Sequence, residues 1–231
     1  MREVVLDTET TGLEPDGGHR IVEIGAVELV NHVPTGRVFH TYLNPERDMP
    51  QDALLVHGLT TAFLLEQPVF AEVVDELLAF LDFDRDGIPA PARLIAHNAG
   101  FDIAFLNMEL ARLGRPPLGP ERILDTLLLA RQSFPNAPNS LEALCRRFNV
   151  DGTARTLHGA LLDSHLLADC YLMLIGGRQP DLGFIVQTEQ ASVVLIRERT
   201  ARPPRPHAPS PEELAAHRAF LERLENPVWL A

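Results

Sequence analysis

Asp7 and Glu9, two residues apart in the stretch VVLDTETTG from Val4 to Gly12, are the first side chains whose chemistry needs a reason. A run of β-branched and aliphatic residues ending in Asp-Thr-Glu reads as a buried strand, and strand alternation puts Val5, Asp7 and Glu9 on one face. Two carboxylates about 4 Å apart repel by roughly 1 kcal/mol in water and about 4 kcal/mol at an effective dielectric of 20, so a buried pair needs protons or cations. A divalent metal is the usual remedy. The commoner setting for a lone Asp-x-Glu is a solvated surface strand, so the rest of the chain must decide. In HNAGFD, Asp102 lies just after a predicted strand, at the start of a helix whose N-terminal dipole stabilises a carboxylate. In TLHGALLD, His158 precedes Asp163 by five residues. On a continuous helix those two would diverge by about 140°. Both reach one site if His158 lies at a loop-helix junction, which Gly159 permits.

The elements that must position these residues follow from pattern. After the first strand, Glu14 to Arg20 is a turn. Arg20 to Val30 and Arg37 to Pro45 read as two further strands joined by Pro34-Thr35-Gly36, an antiparallel meander. Phe70, Val73, Val74, Leu77, Leu78 and Leu81 keep one helical face, with Pro68 suited to the first turn. Arg93 to Asn98 returns as a strand. Ile103, Leu106, Leu110 and Leu113 define a helix closed by Gly114. Ile123 to Thr126 is a short strand followed by a helix to about Ser133. NSLEALCRRF opens with Asn139 or Ser140 as cap, and Glu142 could complete a capping box from Asn139. The last core helix runs from about Gly159 to Ile175. Three early strands followed by β/α alternation predict an α/β fold, a ribonuclease-H-like mixed sheet flanked by helices. DFDRDG, Asp82 to Gly87, opens like a calcium loop, but Arg93 stands where a bidentate Glu is required, so it reads as a solvated turn.

At 231 residues with 45% hydrophobic content, the chain is long enough for one buried core plus an appendage. No segment approaches the roughly 18 unbroken apolar residues of a membrane helix. Met1 leads into strand within three residues, which leaves no room for a signal peptide and predicts a cytoplasmic protein. Cys145 and Cys170 fall in separate helical patterns with no second cysteine nearby in sequence, and read as small core residues. The net charge of −12 argues against a broad basic nucleic-acid surface. The residues after Ile185 carry six Arg and six Glu, so the acidic excess lies in the first 185, together with the carboxylate cluster. Bound metal ions would reverse the local potential for a phosphate. Every basic side chain apart from histidine is Arg; there is no Lys.

The three stretches together, in this order and spacing, resemble the exonuclease motifs of the DEDD superfamily. Histidine five before the last Asp resembles its histidine subclass, where the tyrosine subclass would need Tyr at Gly159. LDTETTG, RIVEIGAVE, HNAGFD, NSLEALC and RTLHGALLD further resemble the epsilon (proofreading) subunit family of bacterial DNA polymerase III over nearly the whole chain. The resemblance implies a 3′-to-5′ exonuclease. Asp7, Glu9 and Asp163 would ligate one Mg²⁺ or Mn²⁺, Asp7 would share a second with Asp102, and His158 would be the general base. The same resemblance assigns Asp7, Glu9 and Asp163, with Asp52 and His57 in PQDALLVHG, to substrate binding. Asp52 stands where a better-known relative has Glu.

The resemblance extends beyond the core and implies an exonuclease domain over 1–178, a linker over 179–209 and an anchoring segment over 210–231. QPDLGF resembles the short peptide by which sliding-clamp partners bind, with Gln179, Leu182 and Phe184 as its anchors. Arg202 to Pro211 is a stiff polyproline-prone linker. SPEELAAHRAFLERLE opens with Ser210, Pro211 and Glu213, and Leu214, His217, Leu221 and Leu224 recur on one face. By resemblance this segment attaches to the polymerase alpha subunit, with Trp229 as a further anchor. Two other readings stay open at this point: an exoribonuclease of the same superfamily, and a non-catalytic scaffold between clamp and polymerase. Whether a small accessory subunit also binds is left open by the sequence.

Overall fold

The computed structural model describes residues 1–84, 86–152, 157–176 and 208–223. The chain divides into two compact units, Met1–Leu182 and Gly183–Ala231. In the first, β1 (Arg2–Thr10) is the central strand of a five-stranded sheet. On one side it pairs antiparallel with β2 (Ile21–Val30), which pairs with β3 (Val33–Tyr42) at the edge. On the other it runs parallel to β4 (Arg93–Ala96), and β4 runs parallel to β5 (Ile123–Asp125). Helices α1 (Gln51–His57), α2 (Thr61–Leu64) and α3 (Phe70–Asp82) connect β3 to β4. α4 (Ala99–Arg112) leads to β5, and α5 (Thr126–Ser133), α6 (Leu141–Phe148) and α7 (Ala160–Leu174) follow. The expected mixed sheet with helices on both faces is what the chain forms.

Alternation along β1 divides the core. Val4 and Leu6 join Ile24, Leu94 and the α3 and α4 residues Phe70, Val74, Leu77, Ile103 and Leu106 on one face. Val5 joins Leu29, Ile95 and the α6 and α7 residues Leu144, Leu166, Leu167 and Tyr171 on the other. Each such Leu, Ile or Phe side chain contributes about 1.5–3 kcal/mol by leaving water, which fixes both helix layers against β1.

Several local expectations need correction. The β2–β3 turn is Asn31-His32, both with positive φ (49° and 65°), the conformation that a two-residue hairpin loop demands. Pro34-Thr35-Gly36 lies inside β3. An edge strand tolerates the missing amide of Pro34, and the register shift between Val27 and Leu29 is absorbed where Gly36 takes φ 79°. Val69 is the N-cap of α3, so Pro68 precedes the helix rather than opening it. Ser140 alone caps α6, accepting from Ala143 N–H at 3.3 Å. The third helical residue is therefore Ala143, which excludes the Asn139–Glu142 box; Asn139 instead donates to the carbonyls of Phe134 and Ala137. The cysteines are core residues as expected, yet adjacent in space, with Sγ atoms 3.6 Å apart, because α6 and α7 pack side by side. Asp84 closes the DFDRDG turn by accepting from the amides of Asp86 and Ile88. In the second unit, α8 (Pro211–Leu221) has the expected box: Ser210 accepts from Glu213 N–H and Glu213 from Ser210 N–H.

One glycine in β2 governs how closely α7 approaches the sheet. A Cβ on Gly25 would lie 2.2 Å from the Leu161 nitrogen and 2.4 Å from the Ala160 oxygen. The Ser164 hydroxyl donates to the Gly25 carbonyl at 2.9 Å and locks the contact. Gly25→Ala should therefore cost about 1–3 kcal/mol of stability, read as a lowered midpoint in chemical denaturation. An unchanged midpoint would mean that the helix is not seated on this strand.

Candidate active site

Three elements carry the candidate side chains. Asp7 and Glu9 lie two apart on β1, and Asp7 sits opposite Gly25 in the register with β2. Asp163 is in the first turn of α7, 2% exposed, with its amide donating to Gly159 O at 2.9 Å. Gly159 is extended and caps the helix, so His158 lies just outside it. The His158 amide donates to the carbonyl of Val56, in α1, at 3.1 Å. The ring is thereby turned back toward the helix start, with Nδ1 3.5 Å from Asp163 Oδ2. One ligand atom each of Glu9, His158 and Asp163 lies within 4.8 Å of the others. The loop-helix junction required by the five-residue spacing is present.

Asp102 arrives differently. β4 pairs with β1 only as far as Val5, which leaves the later amides of β1 without a strand on that side. Where β4 stops, the first turn of α4 takes over: Asp102 Oδ1 accepts from Thr8 N–H at 3.0 Å and from the Thr8 hydroxyl at 2.8 Å. Burial pushes the Asp102 carboxyl up to about 7, against these hydrogen bonds, and nearby Asp125 adds to the rise. A cation held by the neighbouring carboxylates would act in the opposite direction.

Asp52 is exposed in the first turn of α1, while His57, at the other end of that helix, is 5% exposed. Burial lowers the His57 pKa, opposed by the Thr10 carbonyl, and His158 adds to the lowering, so the two imidazoles are close. Asp52 makes no hydrogen bond or ion pair with a described residue. In α8, Leu221 is buried and Leu214 is 44% exposed. Gln179, Leu182, Phe184, Leu224 and Trp229 lie outside the described residues.

Sequence reasoning passed over three groups that build this site. Thr8 holds Asp102; its signal was a hydroxyl on the core face of an apolar strand. Gly25 admits α7; its signal was a glycine within a continuous apolar strand, where close approach of another backbone is the usual cause. The helical character of Gln51–His57, whose Val56 carbonyl orients His158, had no such signal, because the stretch is only seven residues long.

A family model described as Exonuclease matches residues 4–171. The chain is 46% identical over 230 residues to a DNA polymerase III subunit epsilon of Rickettsia felis, covering 97% of both chains. It is 44% identical over 237 residues to the one of Escherichia coli K12, covering 97% of this chain and 94% of that relative. Among solved structures, the nuclease domain of 3′hExo bound to rAMP aligns with a TM-score of 0.63 at 19% identity, over 75% of this chain and 91% of that one. Exonuclease X in complex with 5′ overhanging duplex DNA aligns with a TM-score of 0.55 at 24% identity, over 74% and 90%. At those identities the structural matches speak to fold, and the ribonuclease-H-like expectation agrees with them. With carboxylates and an imidazole gathered on such a sheet, and with relatives of this identity spanning the full core, the chain belongs to the exonuclease family and, within it, to the epsilon subunits of DNA polymerase III.

Proposed function

We propose that this exonuclease removes misincorporated nucleotides from DNA 3′ ends as nucleoside 5′-monophosphates, and that Asp7, Glu9, Asp102 and Asp163 hold two divalent cations, Mg²⁺ or Mn²⁺, for that hydrolysis. The observation that carries the reading is the gathering of Glu9, His158 and Asp163 within 4.8 Å, on a chain whose buried Asp102 is hydrogen-bonded to Thr8, the residue before Glu9. Hard carboxylate oxygens suit these ions. When bound, such ions supply a nucleophile at neutral pH and stabilise charge on the leaving oxygen. His158, half exposed at the mouth of the site, takes the proton of the attacking water, a task within reach of an imidazole at neutral pH. Asp163 Oδ2 lies 3.5 Å from Nδ1 of that ring, on the side of the helix start. Asp52 and His57 contact the terminal nucleotide from α1, the helix whose Val56 carbonyl also fixes His158. Residues 179–184 attach the chain to the sliding clamp through Gln179, Leu182 and Phe184. Residues 210–231 attach it to the polymerase alpha subunit through Leu214, Leu221, Leu224 and Trp229.

Asp7→Ala and Asp163→Ala should each abolish digestion of a 3′-mismatched primer, as should EDTA with the unaltered chain. Thermal melting of both variants in EDTA should stay level or rise, because repulsion between carboxylates is relieved. Near-normal turnover by either purified variant would remove it from the ligand set.

His158→Ala should lower kcat by about 10² to 10⁴-fold, the usual size of a general-base contribution. Its affinity for Mn²⁺, read by calorimetric titration, should stay close to that of the parent. Loss of Mn²⁺ binding would make His158 a ligand instead of a base.

A chain ending at Arg178 should fold and digest single-stranded DNA at near full rate, since every proposed ligand and every described strand and helix of the core, the last being α7 ending at Leu174, lies before it. It should no longer co-elute with clamp or alpha subunit in size-exclusion chromatography. Retained binding of both partners would overturn the assignment of those contacts to residues 179–231.

A further inference from the structure

We propose that the cavity beyond the C-terminal ends of β4 and β5 is a subsite for a DNA backbone phosphate upstream of the scissile one, with Arg131 as its cation; the proposal rests on the nuclease reading above. The cavity has a volume of about 680 Å³. β1, β4 and β5 run parallel, so their C-terminal ends share one edge of the sheet, and Glu9 emerges from the same edge. Asn98, in the cavity wall, is one helical turn before Asp102. The acidic cluster and the cavity therefore share one edge of the sheet.

The lining fits a phosphate. Among the described residues that line it none is acidic, although the chain has 32 Asp and Glu. Of the carboxylates two residues from the lining, Asp125 accepts from Asn98 N–H at 3.0 Å and Leu127 N–H at 2.8 Å, and Glu142 lies 3.6 Å from Arg146. Arg131 is exposed and makes no ion pair or hydrogen bond with a described residue, whereas Arg2, Arg20, Arg37, Arg115 and Arg122 are each paired with a carboxylate. Its field reaches His97 in the cavity wall and helps to lower that imidazole's pKa, after burial itself. Asn136 and Asn139 flank it on the α5–α6 loop. Asn139 clasps that loop through its own amide, which holds the wall in shape. No Phe, Tyr or Trp lines the cavity among the described residues, and the one imidazole, His97, is engaged through Nδ1 with the Thr126 hydroxyl at 2.9 Å. A guanidinium with free donors is suited to bidentate contact with a phosphate. In a chain of net charge −12 whose reactive centre is itself acidic, a cation one step along the same edge offsets the repulsion that an incoming strand meets.

The test is binding without hydrolysis. Full-length protein carrying Asp7→Ala is titrated into a fluorescein-labelled single-stranded oligodeoxynucleotide and followed by anisotropy over a range of salt. Adding Arg131→Ala should raise Kd about tenfold, the scale of one charged hydrogen-bonded contact. It should also reduce the dependence of log Kd on log salt by about one. Arg131→Lys should recover part of the affinity. Arg146→Ala, which removes an exposed cation on α6 outside the cavity, should leave Kd within twofold. An unchanged Kd and salt slope for Arg131→Ala would overturn the subsite. Equal losses with Arg146→Ala would reduce the effect to general charge and overturn it as well. In parallel, hydrolysis is measured with Asp7 intact. If that protein fails to cut DNA while the Arg131 dependence persists, the nuclease reading falls, and with it the placement upstream of a scissile phosphate, while Arg131 stands as a DNA contact.

Discussion

The site depends on one close approach, that of the α7 backbone to β2 at Gly25. Layers packed through ordinary side chains, stacked sheets for example, stand about 10 Å apart, and an Asp in the first turn of a helix held off in that way would be displaced from a strand carboxylate. With no Cβ at Gly25, the backbone at Ala160 and Leu161 rests directly on the strand, and Ser164 bonds to the Gly25 carbonyl. Because Gly25 sits opposite Asp7, the helix start is delivered beside the acidic end of β1. Apolar burial by Leu166, Leu167 and Tyr171 further along α7 holds it there against the repulsion of the carboxylates it brings together. The hydrophobic layer and the acidic cluster are two ends of one helix.

A second economy concerns the unpaired edge of β1. A strand that outruns its neighbour leaves amides that must find partners or incur the loss of a hydrogen bond. Here Thr8 finds Asp102, so the same contact that satisfies the backbone also ties the first turn of α4 to β1, next to Asp7 and Glu9 in the chain. The short β4 is thus part of the site's construction: one more pair between β4 and β1 in that direction would compete for the space that α4 uses to reach Thr8.

The sequence conveyed the parts whose signal is local. The alternation of Val4, Val5 and Leu6 against Asp7 and Glu9, the helical faces of Phe70–Leu81 and Ile103–Leu110, and the Ser210–Glu213 box each follow from one or two turns of chain. The five-residue lead of His158 on Asp163 even stated the condition that the fold had to meet. What did not come through was set by contacts across the chain. Asn31-His32 displaced Pro34-Thr35-Gly36 as the hairpin turn because pairing of Val30 with Val33 completes the ladder, which no residue near Pro34 announces. The two cysteines became neighbours only through the packing of α6 on α7. The short helix α1 is held by its surroundings more than by its seven residues, and so the partner of the His158 amide was invisible.

The Ser164–Gly25 bond joins residues 139 apart in the chain, and this separation orders events in time. Closing so long a loop is entropically expensive before the contact rewards it, whereas the β1–β2–β3 meander pairs neighbours and can form first. During synthesis Asp7 and Glu9 are already on a strand while the helix that carries Asp163 has yet to be made. The gathering of Glu9, His158 and Asp163 is therefore the last feature the folding chain acquires: a partly made chain carries Glu9 on its strand with neither of its later neighbours.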